Sequence, residues 1–186
     1  MSVFNNRLIV TYLWFFLVLV STRLQAEDKI ENLRPVSLIE FGLADLSGNK
    51  DGFVFSVFVV EDSVWTLNEV AQTIRETVGI YAKQCDFNIS VRSVQRGTVA
   101  RHLQDFNESR QAQLLSVLNP ERPTVFFVRQ TQDRDIAYAY LEHTPSPSQG
   151  TIWITRRAKK ECRGLLLAHE IGSCCFTFSF SSGRFR

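Results

Sequence analysis

A histidine followed at once by a glutamate, His169-Glu170, stands in a very apolar stretch, Gly164-Leu165-Leu166-Leu167-Ala168-His169-Glu170-Ile171-Gly172. Burying a carboxylate beside an imidazole costs roughly several kcal/mol unless partners or a metal compensate, so the pair calls for a chemical reason. An imidazole is a zinc ligand, and a neighbouring carboxylate is a general base for metal-bound water. On a helix the next ligand belongs four residues on, where it shares a face with the first. That position is Ser173, and no histidine follows His169. Cys174 and Cys175 would lie about 140° and 240° around a continuous helix from His169, at about 100° per residue. They face elsewhere unless the helix ends at Gly172. His102 and His143 lack a partner at ligand spacing and read as a loop histidine and a strand-end histidine. A catalytic zinc takes about three protein ligands, so stable zinc binding is not expected.

The elements that must position this pair are legible from periodicity. Phe53 to Val60 reads FVFSVFVV, and Thr124 to Val128 reads TVFFV. Both are apolar on both faces, as central strands covered on two sides are. Between them, Asp62 or Ser63 can cap a helix to about Gln84 with Leu67, Val70, Ala71, Ile74, Val78 and Tyr81 on one buried face. Phe87, Ile89, Val91 and Val94 make another strand, and Asp105 to Leu118 is a short helix or ordered loop closed by Asn119-Pro120. Ile136 to Leu141 alternates as a plausible edge strand, Thr151 to Thr155 is a further strand, and Lys159 to Gly172 a helix expected to be buried on most sides. Trp65 and Trp153 read as core, and Arg156-Arg157 with Lys159-Lys160 as a solvated approach to that helix. Helices separated by strands imply an α/β (α+β) fold: a mixed sheet with an edge strand, one long helix and one buried helix.

The chain has 186 residues, 45% hydrophobic and 22% charged, with 21 Lys+Arg against 19 Asp+Glu. That composition excludes intrinsic disorder and a basic nucleic-acid arm, so no nucleic-acid partner is expected. Leu8 to Val20 is a 13-residue apolar-aromatic run broken only by Thr11, preceded by Arg7 and followed by a polar stretch ending in Ala26. It reads as a signal peptide over residues 1–26, with an uncleaved anchor as the rival and the only route to a membrane. Export, periplasmic or secreted, follows. Removing 1–26 takes Arg7 and Arg23 and no acidic residue, leaving 19 charges of each sign. In an oxidising compartment Cys85 and Cys162, at the edges of predicted elements, form a candidate disulfide, the alternative being two small buried hydrophobes. The sequons at Asn88 and Asn107 matter only in a eukaryotic secretory pathway.

The run LLLAHEIG, on a helix following a sheet with an edge strand, resembles the start of the active-site helix of zincin metallopeptidases, and His-Glu-Ile-Gly-His is a frequent spelling in the metzincin branch. The order of strand, long helix, strands and helix over residues 53–172 is similar to the N-terminal subdomain of that fold. The resemblance implies zinc as cofactor, His169 as first ligand, Glu170 as general base, Gly172 as the small residue before the second ligand, and an extended peptide or protein substrate along Ile136 to Leu141. Ser173 breaks the pattern, and composition shifts there to SCCFTFSFSSGRFR over residues 173–186. The expected organisation is a signal peptide (1–26), an N-terminal leader (27–52) that is polar over Glu27 to Arg34, the zincin-like unit (53–172) and an atypical tail (173–186) left by truncation or a frame change. The expected function is an exported metallopeptidase-like protein, inactive as written. The alternatives are a non-catalytic exported binding or structural domain, and a chain that does not fold stably because the helix lacks its covering half.

Overall fold

The computed structural model describes residues 30–46, 52–84, 88–100, 104–131, 134–140 and 146–182. Its strands are β1 (Ile30–Val36), β2 (Phe53–Val60), β3 (Ile89–Val99), β4 (Asp105–Phe106), β5 (Thr124–Val128), β6 (Gln130–Thr131), β7 (Ala137–Ala139) and β8 (Thr151–Thr155). Its helices are α1 (Leu67–Gln84), α2 (Glu108–Leu118) and α3 (Arg163–Ser182). Six strands form one mixed sheet in the order β1-β3-β2-β5-β8-β7. The inner four run parallel, and the outer two, β1 and β7, run antiparallel to their neighbours. The fold is the mixed α/β arrangement expected, with β4 and β6 as a separate short parallel pair.

Alternation along β2, β5 and β8 divides the core into two layers, because successive side chains of a strand leave on opposite faces. Phe55, Val57, Val59, Val125, Phe127, Ile152 and Ile154 point to the face covered by α1 and α3. Phe58, Val60, Phe126, Val128 and Trp153 point to the face covered by α2, which contributes Leu114 and Leu115. This double covering is why FVFSVFVV and TVFFV carry no polar alternation.

Several boundaries differ from the sequence expectation for physical reasons. Helix α1 starts after Thr66, not Asp62 or Ser63, because Thr66 and Glu69 form a capping box. Glu69 N–H donates to the Thr66 hydroxyl at 3.2 Å and Thr66 N–H to the Glu69 carboxylate at 3.1 Å. Glu61 to Ser63 is instead a single 3-10 turn. The optional helix is α2, capped by Asn107, whose side chain accepts from Arg110 N–H at 2.9 Å. Ile30–Val36, within the polar leader, is edge strand β1; its mostly exposed residues need no apolar face to pair with β3. The predicted edge strand is present as β7, over a shorter span, and Leu141 lies outside the described residues.

Helix α3 corrects a larger expectation. It is buried on one side only: Leu167 and Ile171 are fully buried, while Leu165 is 62% exposed and His169 is exposed. The run Leu165 to Leu167 has no helical period of its own, so the sequence shows hydrophobicity without showing which residue turns inward. The helix continues beyond Gly172 to Ser182. Among the described residues no helix is long and apolar enough to cross a membrane.

Val64, between the 3-10 turn and α1, has φ 67° and is 63% exposed. A β-branched residue is strained in that left-handed region and here gains no burial to offset it. Val64→Gly should therefore raise the unfolding free energy by about 0.5–1 kcal/mol, read as a shift of the denaturant midpoint at constant m-value.

Candidate functional site

The placement of His169 and Glu170 follows from how α3 is held against α1. The two helices run parallel: the Thr77 hydroxyl lies 3.0 Å from Gly164 O, and the Tyr81 hydroxyl donates to Ala168 O at 2.8 Å. Close approach requires glycine at 164, where a Cβ would collide with the Glu76 side chain. A Cβ at 172 would stand 3.1 Å from the Tyr81 hydroxyl oxygen. In this structure Gly172 therefore serves the seam between the helices.

The first turn of α3 is fixed by charge. Glu69 Oε1 accepts from Arg156 at 2.6 Å and from Arg163 at 3.2 Å, and Arg163 also donates to Ala158 O at 3.1 Å. Both guanidiniums lie over the Trp65 ring, at 5.0 Å for Arg156 and 4.5 Å for Arg163, and Trp65 is tied by its indole N–H to Val128 O at 2.9 Å. Burial alone would raise the Glu69 carboxyl. Hydrogen bonds from Arg156, from the Thr66 backbone and hydroxyl, and from Arg163 outweigh it and bring the pKa from 4.5 down to about 2. Arg156 is therefore an ion-pair partner rather than part of a solvated approach. The sequence reading passed over Arg163, which is 6% exposed; the Thr-x-x-Glu spacing at 66–69 was the signal that could have led to this cluster.

With Leu167 and Ile171 inward and residues 164, 168 and 172 toward α1, the remaining positions follow at about 100° per residue. Glu170 falls on the flank turned away from α1, where α3 packs over β7, and is half-buried. His169 and Ser173 share the outer face, and the Ser173 hydroxyl donates back to His169 O at 3.0 Å. Burial pushes the Glu170 carboxyl above its ordinary range, and the adjacent His169 draws it back part of the way. The structure thus places His169 and Ser173 on one face of the helix and Glu170 on the adjacent flank.

The donors do not fit a zinc ion. One imidazole and a half-buried carboxylate leave the inner shell unfilled, and among the described residues no group of three His, Cys, Asp or Glu could hold a metal. The side chains of Cys174 and Cys175, and His102 and His143 altogether, lie outside the described residues.

Of the candidate Cys85–Cys162 pair, Cys162 is a free, exposed thiol, and Cys85 lies outside the described residues.

No protein-family model matches the chain, and no curated protein matches it. Among solved structures it is similar to metalloproteinase-II from Bacteroides fragilis, a crystal structure, at 12% identity and a TM-score of 0.49. The match covers 67% of this chain and 42% of that one, so the chain spans less than half the length of that protein.

Two titration signatures follow. A depressed Glu69 pKa contributes stability above 4.5 that is lost as pH falls toward about 2. Glu69→Gln should lower stability near neutrality by about 2 kcal/mol and flatten the melting-temperature profile through that acid window. A raised Glu170 pKa has the opposite sign: the cost appears as pH rises through the folded-state value. Glu170→Gln should melt higher than the wild type near neutrality and level with it in acid, where both side chains are neutral.

Proposed function

We propose that this chain is an exported metallopeptidase-like domain of zincin type whose active-site helix has lost its metal and which does not hydrolyse peptides as written. The observation that supports this reading is that His169 and Ser173 share one face of a helix whose adjacent flank, carrying Glu170, packs over an antiparallel edge strand at the end of a mixed sheet. The partner is accordingly a peptide or protein segment at β7, with no nucleic acid involved. Export rests on the apolar run Leu8 to Val20.

No hydrolytic step is assigned, because Ser173 occupies the second ligand position and offers a hydroxyl bonded to backbone instead of an imidazole. The same contact favours a second reading, a non-catalytic exported binding or structural domain in which Ser173 serves the helix.

Ser173→His separates the two. If α3 displays a metal-binding face, imidazoles one turn apart should take up zinc or cobalt at least about tenfold more tightly than the wild type, read by cobalt absorption and zinc competition. A variant that folds normally and binds no better than wild type would sink the zincin reading and leave the second one.

A further inference from the structure

A cavity of about 390 Å³ lies on the seam where α3 begins alongside α1. Its lining includes Asn68, Glu69, Gln72 and Glu76 on α1, facing Lys160 and Arg163. Lys160 opens a 3-10 turn, Lys160–Cys162, that leads directly into α3 at Arg163. None of His169, Glu170 or Ser173 lines this cavity, and its volume is that of a small-molecule site.

The charges around it do not cancel. Glu69 is saturated: Oε1 accepts from Arg156 and Arg163, and Oε2 from the Thr66 N–H at 3.1 Å and the Thr66 hydroxyl at 3.0 Å. Glu76 accepts from the Gln72 amide at 3.0 Å. Among the described residues Lys160 has neither an ion-pair nor a hydrogen-bond partner. Arg163 is the built part of the site. Its side chain is 8% exposed, with Nε spent on Ala158 O, Nη1 on Glu69 and one face of the guanidinium covered by Trp65. Among the described residues no acceptor stands at Nη2. A nearly buried guanidinium nitrogen without an acceptor is costly, and an acceptor placed in the cavity that Arg163 lines removes that cost.

We propose that this cavity binds a small organic monocarboxylate, its carboxylate held between the Arg163 guanidinium and the Lys160 ammonium and its polar body set against the amides of Asn68 and Gln72. Bonds from a guanidinium or an ammonium to a carboxylate are charge-assisted and strong, and a side-chain amide offers both a donor and an acceptor to a polar body. Arg156, Arg163 and Lys160 stand against Glu69 and Glu76, a surplus of one positive charge. A single carboxylate neutralises that surplus and a dianion overshoots it. The inference is independent of the zincin reading, because it uses neither His169 nor the edge strand.

The test is saturation-transfer NMR on the full chain at constant ionic strength, with N-acetylglycine as the probe and N-acetylglycinamide as its neutral counterpart. N-acetylglycine should bind saturably, and the neutral amide at least about tenfold more weakly. Lys160→Ala should weaken the probe by a similar factor, and Lys160→Arg, which keeps the charge, should restore it. Asn68→Asp, at an exposed position in the first turn of α1 where an acid suits the helix, should also weaken the probe by repulsion. Lys159→Ala, at an exposed neighbour outside the lining, should bind as the wild type does. Absence of saturable binding overturns the proposal, as does equal binding of the neutral amide. Equal loss in Lys159→Ala and Lys160→Ala also overturns it, by assigning the effect to diffuse surface charge. Inorganic phosphate displacing the probe at lower concentration than acetate does overturns the choice of a monocarboxylate.

Discussion

A single carboxylate ties together the elements that carry the site. Glu69 lies in the first turn of α1, Arg156 directly follows β8, and Arg163 begins α3, so their shared contact joins a helix start, a strand end and a second helix start. Arg163 is nearly buried, and a buried guanidinium without its anion would be strongly destabilising. α3 therefore has little freedom to rotate about its axis or slide along α1. Arg163 and Glu170 are seven residues apart, about two turns, and so lie on nearly the same side of the helix. The azimuth that satisfies the arginine is the one that brings Glu170 to the flank over β7, roughly 10 Å further along at about 1.5 Å per residue.

Much of this was legible in the sequence wherever one physical effect dominates. Strands β2 and β5 were readable because both faces are covered, and the buried face of α1 because its apolar residues keep helical spacing. The parts that were not legible are those where effects compete. Asp62, Ser63 and Thr66 are all good caps, and only the reciprocal bond to Glu69 decides among them. β1 is polar because it lies at an edge, so composition hid a strand. The chemistry of His169-Glu170 stood out, yet the inward side of its helix did not, because three consecutive leucines point in three directions. The Arg156 and Arg163 contacts join residues more than eighty positions apart, which no local pattern reports.

The two sides of the sheet do different work. On one, mixed aliphatic and aromatic side chains pack under α1 and α3, two glycines let those helices approach closely, and the charged cluster sets their register. On the other, aromatic rings form a continuous layer from the centre of the sheet to β7, held at the margin by the buried polar link through Gln111. Both features converge on β7, whose alanines face the helix with Glu170 and whose tyrosines face the aromatic layer.

The outward orientation of His169 and Ser173 has a consequence for how such a chain changes over time. Neither side chain contributes to the core, and selection for folding alone does not distinguish one residue from another at either position. Glu170 differs, since its half-buried carboxyl works against stability when ionised. Under neutral drift the outer positions would wander first, while glutamate would be replaced wherever nothing maintained it. The fold therefore leaves residues 169 and 173 open to change, while glutamate at 170 is kept against a stability cost at neutral pH.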